Sequence, residues 1–282
     1  MTLPIDRQLS RFYATSVPYR DMLAGRDPAE FDRYVRLVRD AAPPGARMLE
    51  IGSGTGQAAR ALAAAGFEVT ASDLSPLFLA EGRGLSRLAA DVRALPFPNG
   101  AFDVVAGCEV LEHLPDVPRA LAELVRVLAP AGLVVLRSPQ LSSPIWPILD
   151  LPALARGEGR PPHYVTGRQA ARFLVNNTVR SLRIELLGSN FARRRPDLSG
   201  AGGDADAVYW SSSREVSRCL EGLGCEVLAQ VEMRPPPSRS WLVGRFLPAL
   251  SPTIAVVARK LGAGDPPAPS GLPRRKDEHA QH

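Results

Sequence analysis

The sequence predicts an α/β fold, a mostly parallel sheet with helices on both faces, and three observations carry that expectation. The stretch from Arg47 to Gly56, Arg-Met-Leu-Glu-Ile-Gly-Ser-Gly-Thr-Gly, joins a β-like apolar run to three alternate glycines, and a helix-forming run from Gln57 to Ala65 follows. Short apolar β-runs keep alternating with helix-forming runs as far as residue 139, the pattern of a sheet covered by helices. Two of those runs end in acids, Asp73 and Asp91, at the strand ends where α/β sheets hold their ligands.

Each element follows from local chemistry. Residues 1 to 44 read as helical in two pieces, with Phe12, Tyr13, Tyr19 and Met22 on the first and Phe31, Tyr34, Val35, Leu37 and Val38 on the second. Pro43-Pro44-Gly45 ends them. Gly52, Gly54 and Gly56 let the chain turn sharply, so that a ligand can lie against the main chain and the first amides of the next helix. Gly66 closes that helix, Phe67 to Asp73 reads as a second strand, and Ser75-Pro76 opens a helix with Ser75 as N-cap. Leu85 to Asp91 is a third strand and Ala101 to Cys108 a fourth. A helix from about Val117 to Leu128, a turn at Pro130-Ala131-Gly132 and a fifth strand from Leu133 to Pro139 come next. Residues 140 to 207 hold an apolar, proline-interrupted piece from Ile145 to Pro152, the stretch Arg160-Pro161-Pro162-His163-Tyr164, an amphipathic helix around Arg168 to Asn176, and Arg193-Arg194-Arg195. Regular structure then resumes with a helix from Ser211 to Leu223 and strands from Cys225 to Val231 and Thr253 to Lys260. Residues 263 to 282 are rich in proline, glycine and charge, the composition of a disordered tail.

Composition sets the class. With 282 residues and 45% hydrophobic content, the chain can bury the core of one large domain, 1–262, with a sizeable insertion. The net charge of +5 comes from intermixed basic and acidic residues, which argues against the dense basic face of a nucleic-acid binder. Cys108, Cys219 and Cys225 form neither a Cys-x-x-Cys pair nor an even set and read as reduced thiols. No apolar run approaches the roughly 18 residues of a membrane span, and Asp6, Arg7 and Arg11 interrupt any signal-like core. The expectation is a cytoplasmic protein without stable membrane insertion.

The glycine spacing narrows the ligand. A dinucleotide fingerprint needs Gly-x-Gly-x-x-Gly, whereas here Gln57 stands where its third glycine belongs, which disfavours NAD. Glu50-Ile51-Gly52-Ser53-Gly54-Thr55-Gly56 resembles the first motif of class I S-adenosylmethionine-dependent methyltransferases. Phe102-Asp103-Val104-Val105, then Leu111-Glu112-His113-Leu114, then Leu124 to Gly132 as Leu-x-Arg-Val-Leu-x-Pro-x-Gly, resemble in order and spacing the type-11 small-molecule group of that family.

The resemblance, which spans residues 47–139, implies a Rossmann-like class I methyltransferase fold with a seven-stranded, mostly parallel sheet. It also implies N-terminal helices (1–44) over the cofactor cleft, a substrate lid insertion (140–207) and a resumed core (208–262) whose last strand is antiparallel. The cofactor implied is S-adenosylmethionine, leaving as S-adenosylhomocysteine. Its methionine end would meet the glycine turn and Glu50, its ribose Asp73 and its adenine Asp91, with Ser53, Leu74, Val92 and Glu109 completing the set. Asp73 can equally serve as a helix cap.

Methyl transfer from a sulfonium needs alignment and exclusion of water more than covalent chemistry. A base is needed only for a nucleophile that keeps its proton. His113, just past the fourth strand, is the first candidate and His163 the second; either can instead be a packing residue. Glu109, Glu112 and His113 also match a pattern that the resembling ubiquinone-pathway O-methyltransferases associate with a divalent metal, although the Glu-His pair also occurs in relatives without metal. No Asn/Asp-Pro-Pro-aromatic turn follows the fourth strand and Cys108 lacks a Pro-Cys or Thr-Cys setting, so nucleic-acid methylation is disfavoured. The expected acceptor is a small molecule or a glycan- or lipid-linked metabolite methylated on oxygen; a cofactor-binding subunit without turnover is the alternative.

Overall fold

The computed structural model describes residues 4–82, 84–158, 163–188, 190–199, 204–229 and 251–262. Its strands are β1 Arg47–Ile51, β2 Glu68–Asp73, β3 Ser86–Ala89, β4 Phe102–Cys108, β5 Leu128–Pro139, β6 Cys225–Ala229 and β7 Thr253–Lys260. They form one sheet in the order β3-β2-β1-β4-β5-β7-β6. Pairings from β3 through β5 are parallel, and β7 runs antiparallel to both β5 and β6. The helices are α1 Ile5–Thr15, α2 Val17–Ala24, α3 Asp32–Ala41, α4 Gln57–Ala64, α5 Pro76–Leu79, α6 Val117–Val127, α7 Trp146–Leu149, α8 Leu151–Ala155, α9 Gly167–Leu187 and α10 Ser213–Gly222.

The central strands read as unbroken apolar runs because both of their faces are buried. Along β7, Ile254, Val256 and Ala258 enter one core while Ala255 and Val257 enter the other; Val134 and Leu136 part from Val135 in the same way on β5. One core closes under Leu121 and Leu124 of α6 and Val216 and Leu220 of α10. The opposite core closes under Tyr34, Leu37 and Val38 of α3 and Ala59 and Leu62 of α4. Strand order reverses between β1 and β4, and the crevice for a ligand lies outside the carboxyl ends of those two strands.

Three elements depart from the sequence expectation. The first N-terminal helical piece is two helices, because Ser16 leaves helical geometry, caps Tyr19 N–H and is followed by Pro18 in the first turn of α2. The turn expected at Pro130-Ala131-Gly132 lies inside β5: Leu128 pairs with Phe102, the register slips, and pairing resumes at Leu133 with Val104. Ala131 takes φ +61° there, and a Cβ on Gly132 would meet the Ala129 carbonyl oxygen at 2.9 Å, so the irregularity is a bulge. Helix α9 runs far past Asn176, between a Thr166–Gln169 capping box and Gly188 at φ +89°. Arg160-Pro161-Pro162, the last residues of the expected sixth strand and the tail from residue 263 lie outside the described residues.

Candidate functional site

The glycine turn is fastened to the end of β2. Gly52, Gly54 and Gly56 all have positive φ, at 61°, 53° and 81°. Asp73 Oδ2 accepts from Gly54 N–H at 2.9 Å, Asp73 Oδ1 accepts from Ser75 N–H at 2.8 Å, and Ser53 N–H donates to the Ser72 carbonyl at 3.0 Å. A Cβ on Gly52 would come within 2.5 Å of Val110 Cγ2, so only glycine fits between the turn and the end of β4. Burial raises the Asp73 pKa, and these backbone donors work against that rise.

A cavity opens over this turn at the carboxyl ends of β1, β2 and β4. Of the residues expected to bind the cofactor, Gly52, Ser53, Gly54, Asp73, Leu74, Asp91, Val92 and Glu109 line it, as does His113. Gly56 and Glu50 lie behind its wall. Gly56 precedes α4, whose first amides have no side-chain cap. Glu50 is buried with Oε2 lacking a hydrogen-bond partner, and desolvation, followed by the Asp73 charge, raises its pKa to about 8. His163 is away from the cavity, stacked on Trp210 with centroids 5.8 Å apart and tilted against Phe173.

The outer wall is N-terminal. Leu9 and Tyr13 of α1, Tyr19 and Leu23 of α2, and Phe31 face the cavity, whereas no described residue of the expected lid 140–207 lines it. That insertion instead contributes a buried acid, Asp206. Asp206 Oδ2 accepts from Tyr13 OH at 2.7 Å and Tyr19 OH at 3.0 Å, and lies 3.2 Å from His113 Nδ1. Burial alone would raise its pKa, but His113 and the two hydroxyls outweigh that and hold it well below the usual carboxylate range.

His113 sits between two acids. Desolvation would lower its pKa, yet Asp206 and Glu112 together push it up to about 10. Nε2 lies 3.6 Å from Glu112 Oε1, so each ring nitrogen faces a carboxyl group, an arrangement that favours the imidazolium. The metal triad Glu109-Glu112-His113 is not assembled as such: ligand atoms of Glu109, Glu112 and Asp204 lie within 4.8 Å of one another, while His113 Nδ1 turns to Asp206. Burial raises the Glu112 pKa and its carboxyl oxygens lack hydrogen-bond partners.

Asp91 is also engaged. Arg93 Nη2 donates to its Oδ2 at 2.7 Å and Arg93 Nη1 donates to Asp6 Oδ2 of α1 at 2.7 Å, so one guanidinium ties the adenine-side loop to the N-terminal wall. The Arg93 hydrogen bonds hold Asp91 below its ordinary pKa. Burial raises the pKa of Cys108, which stands in the cavity wall as a thiol. Sequence reasoning missed Asp206, Arg93 and the tyrosine hydroxyls; the available signal was the tyrosines, whose hydroxyls need partners once buried. In the run Arg193-Arg194-Arg195 the outer two are exposed, while the Arg194 guanidinium lies 5.4 Å from the Trp210 ring centroid.

Comparison with known proteins finds methyltransferases. The family model described as "Methyltransferase domain" matches residues 49–136. A demethylmenaquinone methyltransferase of Thermus thermophilus is 45% identical over 118 residues, 38% of this chain and 53% of that protein. A 2-methyl-6-phytyl-1,4-hydroquinone methyltransferase of Synechocystis is 38% identical over 104 residues, 34% of this chain and 33% of that protein. The chain thus spans about half the length, or less, of these curated relatives. The solved magnesium protoporphyrin IX methyltransferase of Synechocystis, with bound S-adenosylmethionine, superposes with TM-score 0.53 over 92% of this chain and 98% of that one, at 14% identity, a likeness of fold.

Proposed function

We propose, from the premise that residues 49–136 form a class I S-adenosylmethionine-dependent methyltransferase domain, that this chain binds S-adenosylmethionine at the β1/β4 crevice and methylates a small acceptor. The observation that carries the reading is the cradle itself: three positive-φ glycines laced to Asp73, under a cavity whose floor a single Cβ at Gly52 would disturb. The residues present fit that cofactor. The turn and the first amides of α4 suit its carboxylate. Glu50, with a buried oxygen that lacks a partner, suits its ammonium directly or through water. Asp73 keeps lone pairs for ribose hydroxyls beside Leu74, and Asp91, set by Arg93, faces adenine with Val92. Glu109, beyond the end of β4, lines the same cavity and would complete the set.

When bound, the cofactor supplies an electrophilic methyl on a positively charged sulfur. The chain aligns the acceptor with it and keeps water out, through the wall of Leu9, Tyr13, Tyr19, Leu23 and Phe31. An aromatic acceptor with an ionisable ring hydroxyl, of hydroquinone type, suits this wall. The hydroxyl attacks in its ionised form, its proton going to solvent, with His113 and Arg26, each already beside a carboxyl group, at the cavity. In this account His113 acts as a fixed charge, and it becomes a base only if Asp206 lets it go. Methyl then passes to the hydroxyl oxygen, or to the electron-rich ring carbon beside it, which afterwards gives up its own proton to solvent, and S-adenosylhomocysteine leaves.

The test is transfer of isotopically labelled methyl from S-adenosylmethionine to a panel of hydroquinones, catechols, sugar phosphates and lipid-linked sugars. Labelled product from the phenolic members supports the reading, and its mass and NMR spectrum separate oxygen from carbon methylation. Product only from sugars or lipid-linked sugars overturns the acceptor class. Tight cofactor binding with no product from any member would favour a binding subunit without turnover.

A further inference from the structure

The outward face of α9 has the wrong chemistry for a helix that meets only water. The helix packs onto the protein through Ala170, Phe173, Asn177 and Ile184, and the opposite line of such a helix is ordinarily polar. Here that line is Val175, Val179, Leu182 and Leu186, spaced four, three and four residues apart and therefore on one ridge. These four side chains are 59%, 51%, 56% and 80% exposed. Ile148 and Leu149 of α7 and Leu151 of α8, from the same insertion, are exposed as well. No residue of α9 lines the cofactor cavity, so the ridge is separate from the site described above.

Charge identifies the partner. Arg168 and Arg172 continue the ridge at its N-terminal end with the same spacing, and Arg183 flanks it. Glu185, the one acid in α9, is already paired with Arg214 at 3.0 Å and Arg218 at 3.4 Å. Beside the ridge a recess is lined by Asn176, Arg180, Arg183 and Asn190 together with Val179 and Leu187. Arg180 Nε within it has no hydrogen-bond partner. An apolar ridge bordered by arginines suits a surface that is apolar below and anionic above. Pairing α9 with α9 of a second copy would set arginine against arginine, because the only acid on the helix is engaged.

We infer that α9, with the tips of α7 and α8, docks on a lipid bilayer carrying anionic headgroups. Val175, Val179, Leu182 and Leu186 enter the acyl boundary, while Arg168, Arg172 and Arg183 snorkel to the phosphates. No described helix is long and apolar enough to cross a membrane, so the attachment is peripheral and reversible. It does not depend on the methyl-transfer reading.

The test is co-sedimentation of the full chain with vesicles of phosphatidylglycerol and phosphatidylcholine, and with phosphatidylcholine alone. Binding to the anionic vesicles is expected to be at least about tenfold stronger and to weaken with salt. The paired variant Leu182→Glu/Leu186→Glu, and separately Arg168→Glu/Arg172→Glu, should each lower the bound fraction about tenfold or more. Thermal melting and S-adenosylhomocysteine affinity should stay at wild-type values in both. Absence of wild-type binding to anionic vesicles overturns the proposal. So does a wild-type dimer that the leucine variant makes monomeric while vesicle binding is unchanged, or a fall in melting temperature in that variant without lipid, which would mean that the protein itself covers the ridge.

Discussion

Replacing Asp206 with Asn tests the junction that joins the insertion, both N-terminal helices and His113. Asparagine keeps the size and an oxygen for the tyrosine hydroxyls at 2.7 and 3.0 Å, but removes the charge 3.2 Å from His113 Nδ1. Raising His113 from 6.5 to about 10 corresponds, at about 1.4 kcal/mol per pH unit, to about 5 kcal/mol of preference for the imidazolium. Glu112 supplies part of that preference and remains in the variant, so we expect a loss of about 3 kcal/mol, the low end for breaking a buried pair. For a chain of this size that lowers the melting temperature by roughly 6–12 °C. The sign with pH follows from both partners. His113 has a raised folded pKa, so its contribution is complete below about pH 6.5 and is lost as pH rises through about 10. Asp206 has a depressed one, so its contribution is present above about pH 4 and is lost as pH falls through its lower folded value. The stability gap between wild type and variant, measured by urea unfolding, should therefore be widest between about pH 4 and 6.5 and close toward pH 10. Histidine NMR should place the His113 pKa in the variant well below 10. Equal stabilities at pH 6, or an unmoved His113 resonance, would refute the reasoning.

Three further outcomes follow from the same geometry. Asp73→Ala removes the acceptor for Gly54 and Ser75 N–H as well as the proposed ribose ligand, and calorimetry should show S-adenosylmethionine affinity weaker by about 1.5–3 kcal/mol; unchanged affinity would remove its ribose role. Gly52→Ala puts a Cβ within 2.5 Å of Val110 at φ +61°, so cofactor binding should be lost while circular dichroism reports a folded chain; an alanine that binds normally would show that the turn yields freely. Glu50→Gln should flatten one part of the stability profile. A carboxyl raised from 4.5 to about 8 on folding makes the protein less stable as pH climbs through that interval, and glutamine removes that slope while weakening binding of the cofactor's ammonium. A variant that keeps both the slope and the affinity would contradict the role given to Glu50.

Much of the sheet could be read from the chain because its signals are local. The two-faced apolar runs of β4, β5 and β7, the glycine turn and the Ser75 cap depend on residues within a few positions of each other, and the structure places them as expected. The same local logic found most of the cavity floor, from Gly52 to Glu109. It failed where the determining partner is distant. Tyr13 and Tyr19 meet Asp206 across 193 and 187 residues, and nothing near any of the three announces the contact. The surroundings of His113 were hidden for the same reason, since the acid beside its Nδ1 is equally distant in sequence. The N-terminal helices wall the cavity as expected, and among the described residues of the insertion Asp204 and Asp206 come to its edge. The turn read from Pro130-Ala131-Gly132 survives as an unpaired excursion inside β5, where Leu128 and Leu133 but none of the residues between them pair with β4.

Calorimetric titration of the purified chain with S-adenosylmethionine, and separately with S-adenosylhomocysteine, tests the central claim most directly. The account predicts one site per chain, with micromolar or tighter binding of both ligands and loss of both on Gly52→Ala. Failure of the wild-type protein to bind either would contradict it, leaving the glycine turn as a turn and the fold without its cofactor.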